Sequence, residues 1–170
     1  MKTTRSKALA MFESLSLVVL GKMDEVTLEK TMTNFEALRK VREDFEAVKN
    51  ELFKRLYGDV EKMTEDEKKT RQDFFGMLAK IKDEDGEKAV RAAYPEIAEK
   101  REKELKILAS LSNKEIEVEV EKVNDVLFTA GIIKGNKKMS VAEVAIVFHP
   151  LFEEKEKKEA DFSELDELMK

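Results

Sequence analysis

Between Thr27 and Tyr57 the chain carries neither glycine nor proline. Leu28, Met32, Phe35, Leu38, Val41, Phe45, Val48, Leu52 and Leu56 recur there at steps of three and four. That spacing predicts one long α-helix with a single apolar stripe, its other faces carrying Lys, Arg, Glu and Asp. Such a stripe is not stable in water alone, so further helices or a second chain must cover it.

The flanking sequence supplies candidates. Residues 4–20 predict a first helix, with Leu9, Phe12, Leu15 or Ser16, and Val19 on one face and Ala8, Met11, Val18 and Leu20 widening it. Gly21 stands where a C-terminal cap is expected, and Asp24 or Thr27 can cap the next helix. So short a link folds the two helices into an antiparallel hairpin. Gly58 ends the long helix. Thr64 and Glu67 form a capping box for a third helix reaching about Lys82, with Phe74, Phe75, Leu78 and Ile81 inward. Residues 87–111 are helical around Pro95, which either kinks that helix or starts a new one. Ile97, Leu105, Leu108 and Leu111 give it an apolar face.

From Ile116 to Val123 the period changes. Ile116, Val118 and Val120 alternate with Glu117, Glu119 and Glu121, the pattern of a strand with one covered face. A strand needs a partner. The candidates are 132–134, 144–148, or another chain. Residues 124–130 read as a helical turn ending at Gly131, Ile132–Ile133 as a short strand, and 134–137 as a turn. Ser140 and Glu143 form a second capping box, and His149–Pro150 closes the helix it opens. The expected fold is mainly α: an antiparallel helical hairpin or bundle with a small β element near 116–134. Residues 1–152 form one domain, and 153–170 a charged tail.

Composition narrows the function. The net charge of −5 argues against nucleic acid as a partner. Arg39, Lys40, Arg42, Lys54 and Arg55 put some positive charge on the long helix, and a nucleic-acid-associated regulator is the alternative they carry. With no cysteine, disulfides and thiolate metal sites are excluded. The basic start of the chain is followed by a run that Glu13 interrupts, unlike a signal peptide, and no stretch has the ~20 apolar residues of a membrane span. A cytoplasmic protein with no membrane contact is expected. His149 is the only histidine and has no metal-ligating or dyad partner. Asp83–Gly86 lacks a carboxylate at the first position of a calcium loop, and the glutamate row reads as a solvated face rather than a metal-dependent centre. No catalytic residue, cofactor or metal is expected. Contact surfaces are. Ile116, Val118 and Val120 offer a strand for self-association or another protein. Phe162, Leu165, Leu168 and Met169, spaced by three and four among acids, offer a small amphipathic helix.

The segments KALAMFESLSLVVL, LYGD, NKEIEVEVEKV and MSVAEVAIVFHPLF, within roughly 4–58 and 105–152, together resemble a family of small uncharacterised proteins encoded by tailed bacteriophages and prophages. Those proteins pair a short apolar helix with a long charged one ending in Tyr-Gly, then a helix leading to an alternating strand and an apolar closing segment. The resemblance supplies no catalytic residues. It implies a non-enzymatic accessory or structural protein that binds phage or host proteins, in the virion or the host cytoplasm.

Overall fold

The computed structural model describes residues 1–136 and 138–153. Its axis is α2, Glu25–Tyr57, 33 residues without a break, or about 50 Å of rod. Asp24 caps its start, accepting the Thr27 amide at 3.0 Å. Gly58 ends it at φ 85°, a conformation that favours glycine, and donates its amide to the Lys54 carbonyl. Helix α1, Arg5–Leu17, lies antiparallel on the first half of α2. Phe12 stacks on Phe35 with ring centroids 5.0 Å apart, while the Arg5 guanidinium sits over Phe45. Helix α5, Pro95–Asn113, runs antiparallel along the second half, where the Tyr57 hydroxyl donates to Glu104 at 2.9 Å. The two shorter helices meet near the middle of the rod, and Arg5 Nη1 donates there to the Leu111 carbonyl. Helices α3, Glu65–Leu78, and α4, Glu84–Ala93, complete the far end. The Thr64–Glu67 capping box forms as expected, and Pro95 starts α5 rather than kinking a continuous helix.

The strand finds a different partner from those expected. β2 covers only Glu115–Glu117 and pairs antiparallel with β1, Lys2–Thr4. Residues 132–134 and 144–148 are helical instead: α6 spans Asp125–Gly135 and α7 Val141–Phe148. Gly131 does not end a turn. It lies inside α6 because that helix crosses the α1–α2 connection too closely for a side chain. A Cβ at Gly131 would fall 2.5 Å from Met23 Cγ, and one at Gly135 2.5 Å from the Val19 carbonyl oxygen. The first helix also stops short of 20, because Val18 turns extended, and α3 stops at Leu78 rather than near Lys82.

Past β2, Val118 still exchanges hydrogen bonds with Met1, and beyond it side chains serve the backbone. Asn34 on α2 donates to the Glu121 carbonyl at 2.8 Å and accepts the Glu121 amide at 2.7 Å. Asn136 does the same for Val19, at 3.1 and 2.9 Å. Each amide group replaces one rung of a β-ladder. Val123 then bridges Phe152 in parallel fashion, and the Glu153 amide donates to the Val123 carbonyl.

These clamps alter the stripe on α2. Leu38 and Phe45 are buried as expected, but Met32 and Val48 are exposed. In the first half the inward face is Thr27, Thr31, Asn34 and Leu38. Asn34 bonds the backbone that runs alongside, while the Thr31 hydroxyl donates to the Thr27 carbonyl of its own helix. On α5, Leu105 is exposed while Ala98 and Glu104 are buried. The main core joins Ala8, Met11, Phe12 and Leu15 of α1 to Leu38, Phe128, Ile132, Val144, Phe148 and Leu151. A separate aromatic cluster of Phe53, Tyr57, Phe74, Phe75 and Tyr94 holds the far end, with Arg71 4.0 Å over the Phe53 ring.

Candidate interaction surface

Helix α7 is apolar almost all round, and α1 mixes seven apolar residues with Arg5, Ser6, Lys7, Glu13, Ser14 and Ser16. A short helix can bury only one side against its own domain. Val144 and Phe148 take the inward side of α7, and Ala8, Met11, Phe12 and Leu15 that of α1. The outward sides remain in water. Leu17 is 84% exposed and Ile146 80%.

Between the two helices runs a groove of about 740 Å³. The small, exposed Ala10 and Ala145 line it together with Met11, Ile146, Val147 and Pro150, and Lys7 and His149 are its polar groups. A second hollow of about 430 Å³ continues along the same side of α1 past Ser14 and Leu17 to Lys138 and Met139. The residue spacing of Lys7, Ala10, Ser14 and Leu17 forms one helical row. Among the described residues, the Asp, Glu, Lys or Arg side chains lining these hollows are Lys7 and Lys138. By contrast, the hollow between α2 and α5 carries Glu51 with Arg55, and that on α6 carries Asp125 with Lys134.

The residues singled out from sequence fall elsewhere or outside. Val118 is buried, and Ile116 and Val120 pack against the core, so their side chains are committed within the chain. Glu115, Glu117, Glu119 and Glu121 are exposed. Among the described residues no group of three His, Asp or Glu side chains is placed to hold a metal ion. Phe162, Leu165, Leu168 and Met169 lie outside the described residues. His149 is exposed at the end of α7 and lines the groove. On α2, Arg39 is paired with Glu36 and Glu43, Arg55 with Glu51, and Arg42 covers the Phe12 ring. Among the described residues no helix is long and apolar enough to cross a membrane.

Perturbed titratable groups have local structural causes. Glu67 and Glu143 are held below the usual carboxylate range, chiefly by the backbone amides of Thr64 and Ser140 and then by their hydroxyls. Asp24 is lowered by Thr27, and Glu102 by Lys106. Burial, and then the hydrogen bond to Glu104, pushes the Tyr57 hydroxyl well above the usual tyrosine value. Three of these are helix caps, one is a surface ion pair, and one sits in the aromatic cluster.

The groove itself was missed from sequence. The signal was available: VAEVAIVF has one charged residue in eight, more apolar surface than one buried side can use. No family model matches the chain, and neither the curated proteins nor the solved structures give a significant match. The geometry defines the class, a mainly α protein built on one long helix, with a two-stranded ribbon at its middle.

Proposed function

We propose that this protein works by binding another protein, not by catalysis, and that the outer face of α1 and α7 is the contact surface. The observation that carries the reading is Ile146, more than three-quarters exposed in a groove beside Ala10 and Ala145, with Leu17, equally exposed, on the neighbouring hollow along α1. Contiguous exposed apolar surface of this kind is characteristic of protein contact sites. The alanines let a helix backbone approach closely, so an amphipathic helix is the form of ligand that fits. The resemblance to phage accessory proteins supports a phage or host protein as partner, in virion assembly or in the infected cell.

The reading is tested with a photo-crosslinking residue at position 146 in cells that express the protein during infection, with position 99 on α5 as control. A discrete higher-mass adduct is expected from 146 alone, and Leu17→Glu abolishes it. Leu17 is exposed, so that variant keeps its stability within about 0.5 kcal/mol by thermal melting. Equal labelling from both positions, or none from 146, refutes the assignment.

A further inference from the structure

We infer that two copies of this chain meet through the outer side of α1, helix against helix and antiparallel, about a two-fold axis at Ala10. This builds on the α1–α7 face being a contact surface, and it names a second copy of the chain as the occupant of the α1 part.

The placement of charge points to this occupant. Ala8, Met11, Phe12 and Leu15 take the inward side of α1. On the opposite side Ser6, Lys7, Ala10, Glu13 and Leu17 are exposed. By helical geometry Lys7 and Glu13 stand about 60° to either side of Ala10, and about 4.5 Å before and after it along the axis. A two-fold axis pointing outward through Ala10 reverses both displacements. It therefore sets Lys7 of one copy opposite Glu13 of the other, and Glu13 opposite Lys7. A parallel pairing of the same two helices would instead bring the like charges to one level. The outer row is thus complementary to itself in one direction only.

Both charges are available for this contact. Arg5 is engaged within the chain, over Phe45 and at the Leu111 carbonyl. Among the described residues no ion pair or side-chain hydrogen bond holds Lys7 or Glu13. Six positions apart, they do not reach each other along one helix. The long helix is different: Lys49 pairs with Glu46 and Arg55 with Glu51, at spacings of three and four.

Shape agrees with charge. Ala10 is the smallest side chain of the row and stands at the crossing, where two helix backbones come closest. Leu17 lies about 20° from Ala10 and two turns along, so the antiparallel copy covers it with the start of its own α1. Ala10 lines the groove and Leu17 the neighbouring hollow. A partner helix and a second copy therefore compete for the same ground. The contact is one helix pair, so the dimer is weak and reversible.

The test is sedimentation velocity on the purified full chain, from micromolar to submillimolar concentration. A reversible monomer–dimer equilibrium is expected. Lys7→Glu and Glu13→Lys are each expected to weaken it by on the order of tenfold, because each turns two attractive contacts into repulsive ones. An equimolar mixture of the two variants is expected to recover the dimer, since every facing pair is again opposite in sign. The chain has no cysteine, so Ala10→Cys supplies a single thiol. With oxidised glutathione it is expected to give a disulfide-linked dimer faster than Ala109→Cys on α5, where the alanine is also exposed. This arm keeps the native charges, and so decides the matter even where a charge variant folds poorly. A chain that stays monomeric throughout overturns the proposal. So does a dimer indifferent to either charge reversal, a mixture that does not recover, or trapping at 10 no faster than at 109. If the purified chain stays monomeric while infected cells still give a partner adduct at 146, the self-pairing falls and the docking surface stands. If the dimer forms as expected and no adduct appears at 146, the self-pairing stands and the outside partner falls. If both fail, the face itself is misassigned.

Discussion

At Asn34 a single side chain does the work of a neighbouring strand. It is fully buried, and both of its polar atoms are engaged by the backbone of Glu121. Asn34→Ala leaves that amide and carbonyl without partners beside the core, and a loss of about 2–4 kcal/mol is expected by urea denaturation. Exposed α2 residues such as Met32 serve as controls and change stability far less. Tyr57 is the other polar residue with a large structural duty. Its hydroxyl is protonated and donating to Glu104, and its pKa is raised above the unfolded value. The folded state therefore holds this proton more tightly than the unfolded chain does. The resulting stability is present below the pH at which free tyrosine ionises, about 10, and is lost as pH rises toward the folded value. Alkaline titration followed by tyrosinate absorbance should show a tyrosine that ionises only with unfolding, and Tyr57→Phe should abolish that step.

Among the elements, α6 shows how proximity overrides a local signal. Gly131 read as the end of a helical turn and Gly135 as part of a 134–137 turn, yet the helix runs through the first and to the second. Their missing side chains let it lie against Met23 and Val19. At Gly135 the obstructing atom is a backbone oxygen, which cannot rotate away. Gly135→Ala is expected to cost about 1–3 kcal/mol in thermal or urea melts, although alanine favours helix in isolation. The same rule separates what was legible in the sequence from what was not. The rod α2, its stop at Gly58, and the caps at Asp24, Thr64 and Ser140 are set by residues within a few positions, and all were readable. The polar inward face of α2 was not, because it answers to residues near Glu121. The strand was readable as alternation, but its pairing with Lys2–Thr4 has no local mark. The groove was partly readable, as surplus apolar surface on α7, whereas its facing walls depend on how α1 and α7 pack.

Taken whole, the molecule has two centres of packing on one rod, an aliphatic and aromatic core at one end and the Tyr57 cluster at the other. Their makeup differs. The main core closes with no buried side-chain polar atom unsatisfied among the described residues. The far cluster is bound by rings, Arg71, Arg101 and Glu104, contacts that depend on orientation. The surface proposed for a partner lies at the first end, where α1 and α7 adjoin, so changes in the far cluster should alter stability without touching that face.

The ribbon joins residue 3 to residue 116, and the main core draws on both α1 and α7. A ribosome adds residues at roughly 5–20 per second, so α1 emerges on the order of ten seconds before the helices that shelter it. During that interval Met11, Phe12 and Leu15 lack the α6 and α7 side chains that cover them in the folded core. The rate of synthesis thus becomes a determinant of yield, because native closure must wait for residues 128–152.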